Sequence, residues 1–324
     1  MTTSPLRSAQ LWVPVGVCAV VALYLFTVQG YSTGYLFERK TLLHDMLQGY
    51  KLDGGEWGFG RFIPLVIAGL FYTQRKQLLQ VPVKPDYLLG GICLVLGFFF
   101  YFGGYKANEK YVGFASGQIL AAGMILWFLG KEWFFKTFWL WVLLGMMWPW
   151  RFLIEPIAFP LQLTMVKLTS GFLDMIGVEV STRGTAILTD TVDPKDGDMI
   201  SLNIAAACSG LRSLFALIMI GLIIGYLQLK EDWKRVVLMF CVPLVAVAGN
   251  FVRMLMLYFG SKYGGSEFAI GLGEGKESTY HINSGLVVFM VAVVLMLTIV
   301  QILNKGAGYF ARRKLVVRSV EKMA

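Results

Sequence analysis

Charge is what this sequence has least of. Only 15% of its 324 residues are Asp, Glu, Lys or Arg, against about a quarter in an ordinary soluble domain. Length alone would suggest two soluble domains, but 56% of the chain is hydrophobic and the apolar residues come in long runs rather than periodic stripes. Histidine is scarce too, with two residues, His44 and His281, beside four cysteines. They lack the spacing of any usual zinc site. No glycine-rich loop follows a strand, so nucleotide binding has no support, and no cofactor is expected. The net charge of +9 comes without zinc-finger spacing or a basic reading helix, which argues against nucleic acid. It reads instead as loop and tail charge against an anionic inner leaflet. Internal repeats and low-complexity tracts are absent. The first apolar run, Leu11–Val28, is too long for a signal-peptide core and no small-x-small cleavage site follows it. It is expected to span.

What is present is a series of apolar runs long enough to cross a hydrocarbon core of about 30 Å as helices. Eight spans are expected, near 11–28, 59–73, 87–104, 111–129, 134–150, 209–229, 236–259 and 284–303. The second is short, with Arg61 at its start and Pro64 inside it. The fold class is therefore an all-α polytopic membrane protein. With the N-terminus inside, the inner segments hold Arg75, Lys76, Lys84, Lys230, Lys234, Arg235 and the tail cluster Arg312, Arg313 and Lys314. The outer segments are longer and hold fewer basic residues, so both termini are expected inside. The nine tryptophans fit interfacial anchoring and packing.

Residues 157–177 are apolar, but Gln162, Lys167 and Asp174 interrupt them. A charge at the bilayer centre costs about 2.5–3.5 kcal/mol on insertion scales, and a span here would put the basic tail outside. An amphipathic helix at the outer interface is expected instead. Alternation over Val178–Leu188 predicts a short strand, Asp193–Asp198 a turn, and Met199–Ala205 a second strand. The chain thus divides into spanning helices one to five in 1–150, an outer cap in 151–207, spanning helices six to eight in 208–303 and a basic inner tail in 304–324.

Cys18, Cys93 and Cys241 fall inside spans, and Cys208 falls at the outer boundary without an evident disulfide partner. A structural reading of a lone cysteine is a small residue at a helix start. Here the segment Cys208-Ser209-Gly210 marks where an outer loop becomes a helix. A thiol there feels the positive end of the helix dipole, which favours the thiolate. Arg212, four residues on, is expected on the same helix face as a further cation.

Two other elements reach the same depth. Asn250 and Arg253 stand three apart on the seventh span and share a face. Ionisable residues within spans are rare and face the bundle interior, although an arginine can also snorkel to the headgroups. His281 lies just before the eighth span. It is either an ordinary interfacial histidine or a general base for the thiol. Orientation assigned from loop charge brings Cys208, Arg253 and His281, from three helices, to the outer third of the membrane.

The segments Ala206-Ala207-Cys208-Ser209-Gly210-Leu211-Arg212-Ser213 and Gly249-Asn250-Phe251-Val252-Arg253, with His281 before a last span, resemble the exosortase/archaeosortase family over roughly 140–303. His281 matches the bacterial branch. The resemblance implies a multi-pass envelope enzyme acting on exported proteins whose C-terminal sorting signal holds a short motif, one spanning helix and a basic cluster. It implies a cysteine protease or transpeptidase of the cytoplasmic membrane, with Cys208 as nucleophile, Arg253 as the family arginine and His281 as the third residue. The active site would face outward, with a lipid or glycan as acceptor. Arg212, Asn250, Ser209 and Gly210 would support substrate or thiolate. The rival reading is a non-proteolytic transporter or scaffold for envelope polysaccharide export. Intramembrane Arg and Asn would suit it, but no symmetric halves are evident.

Overall fold

The computed structural model describes residues 9–33, 39–51, 57–203, 210–271 and 278–321. The chain forms two compact units, Met1–Arg151 and Phe152–Ala324. The fold is all-α and multi-pass, with two small sheets among the described residues.

The first unit begins with α1 (Ala9–Thr27), followed by strands β1 (Gly30–Thr33) and β2 (Arg39–Thr41), an antiparallel pair that the sequence reading did not expect. The short helix α2 (Leu42–Gly49) starts at Thr41, whose hydroxyl accepts the His44 N–H at 3.1 Å, a side-chain N-cap. Helices α3 (Ile63–Leu78), α4 (Tyr87–Ala107), α5 (Lys110–Phe128) and α6 (Lys131–Gly145) complete the unit. Pro64 sits in the first turn of α3, where its missing N–H would be unpaired anyway. Asp86 caps α4 through the Leu89 N–H at 2.9 Å.

Helices α4 and α5 form a hairpin closed by glycine. A Cβ at Gly90 would stand 2.6 Å from the Trp127 backbone nitrogen, and one at Gly97 2.6 Å from Leu120. Small residues at such spacing let helix backbones approach in lipid, where no hydrophobic force drives association. At the end of the hairpin Tyr31, Leu42, Tyr101, Phe114 and Trp148 make a buried aromatic cluster. Its polar tips are satisfied internally: Tyr31 donates to the Tyr101 carbonyl at 2.8 Å and Tyr101 to the Leu25 carbonyl at 2.9 Å.

The second unit contains α7 (Ile154–Met175), strands β3 (Val180–Arg183), β4 (Ala186–Val192) and β5 (Met199–Asn203), then α8 (Leu211–Gln228), α9 (Asp232–Gly264), the single turn α10 (Ser266–Ala269) and α11 (Thr279–Glu321). The strands make an antiparallel sheet in the order β3-β4-β5. The expected single strand Val178–Leu188 is thus a hairpin, and the cap holds three strands rather than one or two. Arg183 pairs with Ala186 across Gly184-Thr185, and Gly184 has φ +59°. Glycine in that position suits a two-residue hairpin turn. Alternation alone passes through such a turn unbroken.

Helix α7 buries one stripe, Gln162, Met165, Val166, Thr169 and Leu173, and leaves Lys167 and Asp174 exposed, the pattern of an amphipathic helix. Its apolar stripe joins Val178, Ile187, Ile200 and Leu202 of the cap against Met254, Leu257 and Tyr258 of α9. The cap is therefore part of one core with the C-terminal half of α9. A hydrogen bond of 2.8 Å between Thr191 and Tyr258 hydroxyls fastens it further.

Among the described residues five stretches are long and apolar enough to cross: Tyr87–Ala107, Lys110–Phe128, Arg151–Met175, Asp232–Gly264 and Thr279–Lys305. Arg151–Met175 is the segment expected at the interface. Val15–Thr27 and Ser213–Gln228 are apolar stretches within α1 and α8, helices of 19 and 18 residues. The stretches expected at 59–73 and 134–150 fold as α3 and α6, of 16 and 15 residues. At 1.5 Å per residue, helices of that length rise only about 23 Å. The apolar run after α6 does not continue it, because residues 146–150 turn around Pro149.

Candidate active site

Three sequence blocks supply the site. The first ends at Gly210, which caps α8 with φ +84°, a conformation that disfavours any residue with a Cβ. A Cβ there would also lie 2.9 Å from Cγ of Asn250. Glycine is thus required twice, by the backbone and by the neighbour. Asn250 is buried in the middle of α9, so this contact joins the start of α8 to α9 two residues after Cys208. The Ser213 hydroxyl donates to the Gly210 carbonyl at 2.8 Å, which fixes the first turn. No side chain caps α8. Cys208 and Ser209 lie outside the described residues, as does the side chain of Arg212. Helix α8 begins at Leu211, and the shared face expected for positions 208 and 212 lies outside the described residues.

The second block is Asn250 and Arg253, three apart on α9 as their spacing requires. Arg253 lies 11 residues before Gly264, the last residue of α9, so it stands about 16 Å inside the helix end. Among the described residues no carboxylate pairs with it, and its buried Nε has no hydrogen-bond partner. A buried donor left unmade costs about 1–3 kcal/mol, and donors held ready at that expense are found at functional sites.

The third block begins α11. The helix starts at Thr279, earlier than the span expected from 284, so His281 lies in its first turn. The Ser278 hydroxyl accepts the His281 N–H at 3.0 Å and acts as the N-cap. His281 is buried, and its carbonyl accepts from the Ser284 hydroxyl at 2.8 Å and from Arg253 Nη2 at 3.5 Å. The guanidinium passes over Gly285, where a Cβ would stand 3.3 Å from Cζ of Arg253. Arg253 and His281, 28 positions apart, are thus brought together, and Asn250 is brought to Gly210.

Beside these residues is a cavity of about 40 Å³ lined by Ser213, Asn250, Arg253 and Gly285, with Leu217, Val245, Ala246 and Phe289 among its apolar walls. It is large enough for a water molecule. A guanidinium with an unused N–H at such a place can hold a carbonyl or oxyanion. Sequence reasoning missed Ser278, Ser284 and Gly285. Ser278 was legible as a capping residue just ahead of a helix that leads into an apolar run; Gly285 was not, because its reason is a neighbour from another helix.

A family model, the transmembrane exosortase, matches residues 53–298. That is most of the chain, so the chain belongs to the transmembrane exosortase family. No curated protein and no solved structure matches it.

Proposed function

We propose that this chain, as a member of the transmembrane exosortase family, is a cysteine protease or transpeptidase that cleaves C-terminal sorting signals of exported proteins near the outer face of the cytoplasmic membrane. The observation that carries this reading is the meeting of three distant blocks. Asn250 packs on Gly210 beside the Cys208 segment, and Arg253 bonds the first turn of α11 at His281.

The chemistry is acyl transfer. His281 takes the proton of the Cys208 thiol, and the thiolate attacks the scissile carbonyl carbon. Arg253 donates to the oxygen as it gains negative charge. Collapse of the tetrahedral adduct breaks the C–N bond, and His281 returns the proton to the leaving amine. The thioester on Cys208 is then resolved by water, giving hydrolysis, or by an amine acceptor carried on a lipid or glycan, giving transfer. Asn250 and Gly210 set the turn that presents the nucleophile. Positive charge concentrated in the inner segments supports both termini inside, with Cys208 outside; α7 is long enough to cross, but its exposed Lys167 and Asp174 favour a position along the outer interface.

The test is processing of an exported protein bearing a C-terminal sorting signal, in cells that carry the chain with Cys208→Ala or Cys208→Ser. Both variants are expected to insert normally and to leave the substrate uncut. Processing at the normal rate in Cys208→Ala would remove the nucleophile assignment and leave the transporter or scaffold reading. Labelling of Cys208 by a membrane-impermeant maleimide in intact cells checks its side of the membrane; labelling only after lysis would reverse the orientation.

A further inference from the structure

The turn between β4 and β5 holds a buried carboxylate, Asp193, that the proposed chemistry does not use. Its Oδ1 accepts the Lys195 N–H at 2.9 Å and its Oδ2 the Ser266 N–H at 2.5 Å. The first bond shapes its own turn, together with Asp193 N–H to the Asp198 carbonyl at 2.7 Å. The second reaches 73 positions along the chain to the first residue of α10. Gly265, with φ +91°, allows the approach, since a Cβ there would stand 2.9 Å from the Lys195 side chain and 3.2 Å from Asp193 Oδ1.

Helix α10 is one turn of four residues and has no stability of its own. Its anchorage is passed on to the chain beyond it. Its last residue, Ala269, is buried, and the Ala269 carbonyl accepts the Ser278 hydroxyl at 3.0 Å. The Ile270 carbonyl accepts the Ser278 N–H at 3.1 Å. The same Ser278 oxygen accepts the His281 N–H. A continuous path of hydrogen bonds and one helical turn therefore runs from the carboxylate of the cap to the backbone of His281. Its charged end makes the strongest class of bond in the path.

We infer that Asp193 is a positioning residue for His281, acting through α10 and the Ser278 hydroxyl to fix where the first turn of α11 stands. The inference rests on the proton-transfer role proposed for His281. It makes the outer cap a part of the catalytic frame and ties a turn that would otherwise be free to vary to the register of the histidine.

The test uses the full chain in membranes with Cys18, Cys93 and Cys241 changed to Ala, and a membrane-impermeant maleimide as probe. The rate of Cys208 alkylation is followed against pH. In this parent chain the midpoint is expected below the ordinary thiol value of about 8.5, because a neighbouring histidine favours the thiolate. His281→Ala should raise it toward that value. Asp193→Ala and Ser278→Ala should each raise it part of the way, with alkylation at pH 7 slowed about threefold to tenfold. Ser278→Thr, which keeps the hydroxyl, should restore the parent profile. The double variant should be no worse than the more impaired single variant, since both act on one path. Parent-like profiles for Asp193→Ala and Ser278→Ala beside an altered His281→Ala profile would overturn this inference alone. Equal impairment in Ser278→Thr and Ser278→Ala would overturn it also, and keeps it open to refutation if the Asp193 variant does not fold. A parent-like profile for His281→Ala would overturn the proton-transfer role and this inference with it.

Discussion

In Met1–Arg151 the buried side-chain donors of the described residues find partners; in Phe152–Ala324 the buried Nε of Arg253 does not. The hairpin of α4 and α5 relies on Gly90 and Gly97, and the hydroxyls and indoles around it are spent on backbone carbonyls of neighbouring elements. In the second unit bonds cross elements as well, Thr191 to Tyr258, Asp193 to Ser266 and Arg253 to His281, but the set is not complete. Close apposition of backbones gives a stiff scaffold but presents no chemistry. Polar cross-links that leave a donor unused, as at Arg253 Nε, give a place where a substrate group can complete the set. The difference teaches that depth in a membrane does not by itself decide whether a polar group is structural. What decides is whether its bonds are complete.

Substitutions can break or sharpen that contrast. The largest effect is expected at Arg253. Arg253→Gln should lower the rate of processing about 100- to 1,000-fold, the range for loss of one oxyanion donor, with little change in unfolding temperature of the purified chain. Gly210→Ala should come next. It forces a Cβ into the left-handed conformation and against Asn250, which costs about 1–2 kcal/mol for the backbone and a similar amount for overpacking. Both turnover and thermal midpoint should fall. Gly97→Val tests the other unit. It should destabilise by about 1–3 kcal/mol through overpacking against Leu120, while turnover per folded molecule stays at the parent value. A loss of turnover in the folded fraction would erase the distinction between the two units. Tyr258→Phe removes only the hydroxyl bonded to Thr191 and should cost about 1 kcal/mol in a thermal melt.

The smallest effect is one of acid. The Ser266 hydroxyl first, then the backbone N–H groups of Lys195 and Ser266, hold the Asp193 carboxyl down to about 2. An unfolded aspartate titrates near 3.9. The stabilisation is therefore fully present above about pH 4 and is lost as pH falls toward 2. Across the neutral range Asp193 stays ionised, so its own titration should leave no mark on the Cys208 alkylation profile. Amide exchange at Ser266, followed between pH 4 and 2, should show protection fading beyond the intrinsic pH dependence; protection constant over that window would refute the bond.

Much of this was legible in the residues. Apolar run length marks the helices, and the spacing of Asn250 and Arg253 places them on one face before any contact is known. The turn at Asp193–Asp198 also follows from its composition. The purpose of Asp193 does not, because its partner is 73 positions away and sequence offers only the local role. The same holds for Gly285, whose space is taken by Arg253 from α9. Val178–Leu188 misleads for another reason: period-two alternation is continuous through a two-residue turn, so only Gly184 signals the reversal. Helices α3 and α6 mislead because apolar composition sets where a run is insoluble in water, whereas helix length is set by where the backbone turns.

Helix α9 runs for 33 residues, and Arg253 stands 21 residues after its first residue, Asp232. At 1.5 Å per residue that separation is about 32 Å, close to the thickness of a bilayer's hydrocarbon core. The helix is thus a gauge as well as a support. On the proposed reading, a substrate held at the inner face by its basic cluster presents to Arg253 whichever peptide bond lies one membrane thickness away. The place of cutting would then be counted in length before it is read in side chains. Lengthening a substrate's spanning helix by one turn should move the cut by about that turn, with the motif left behind.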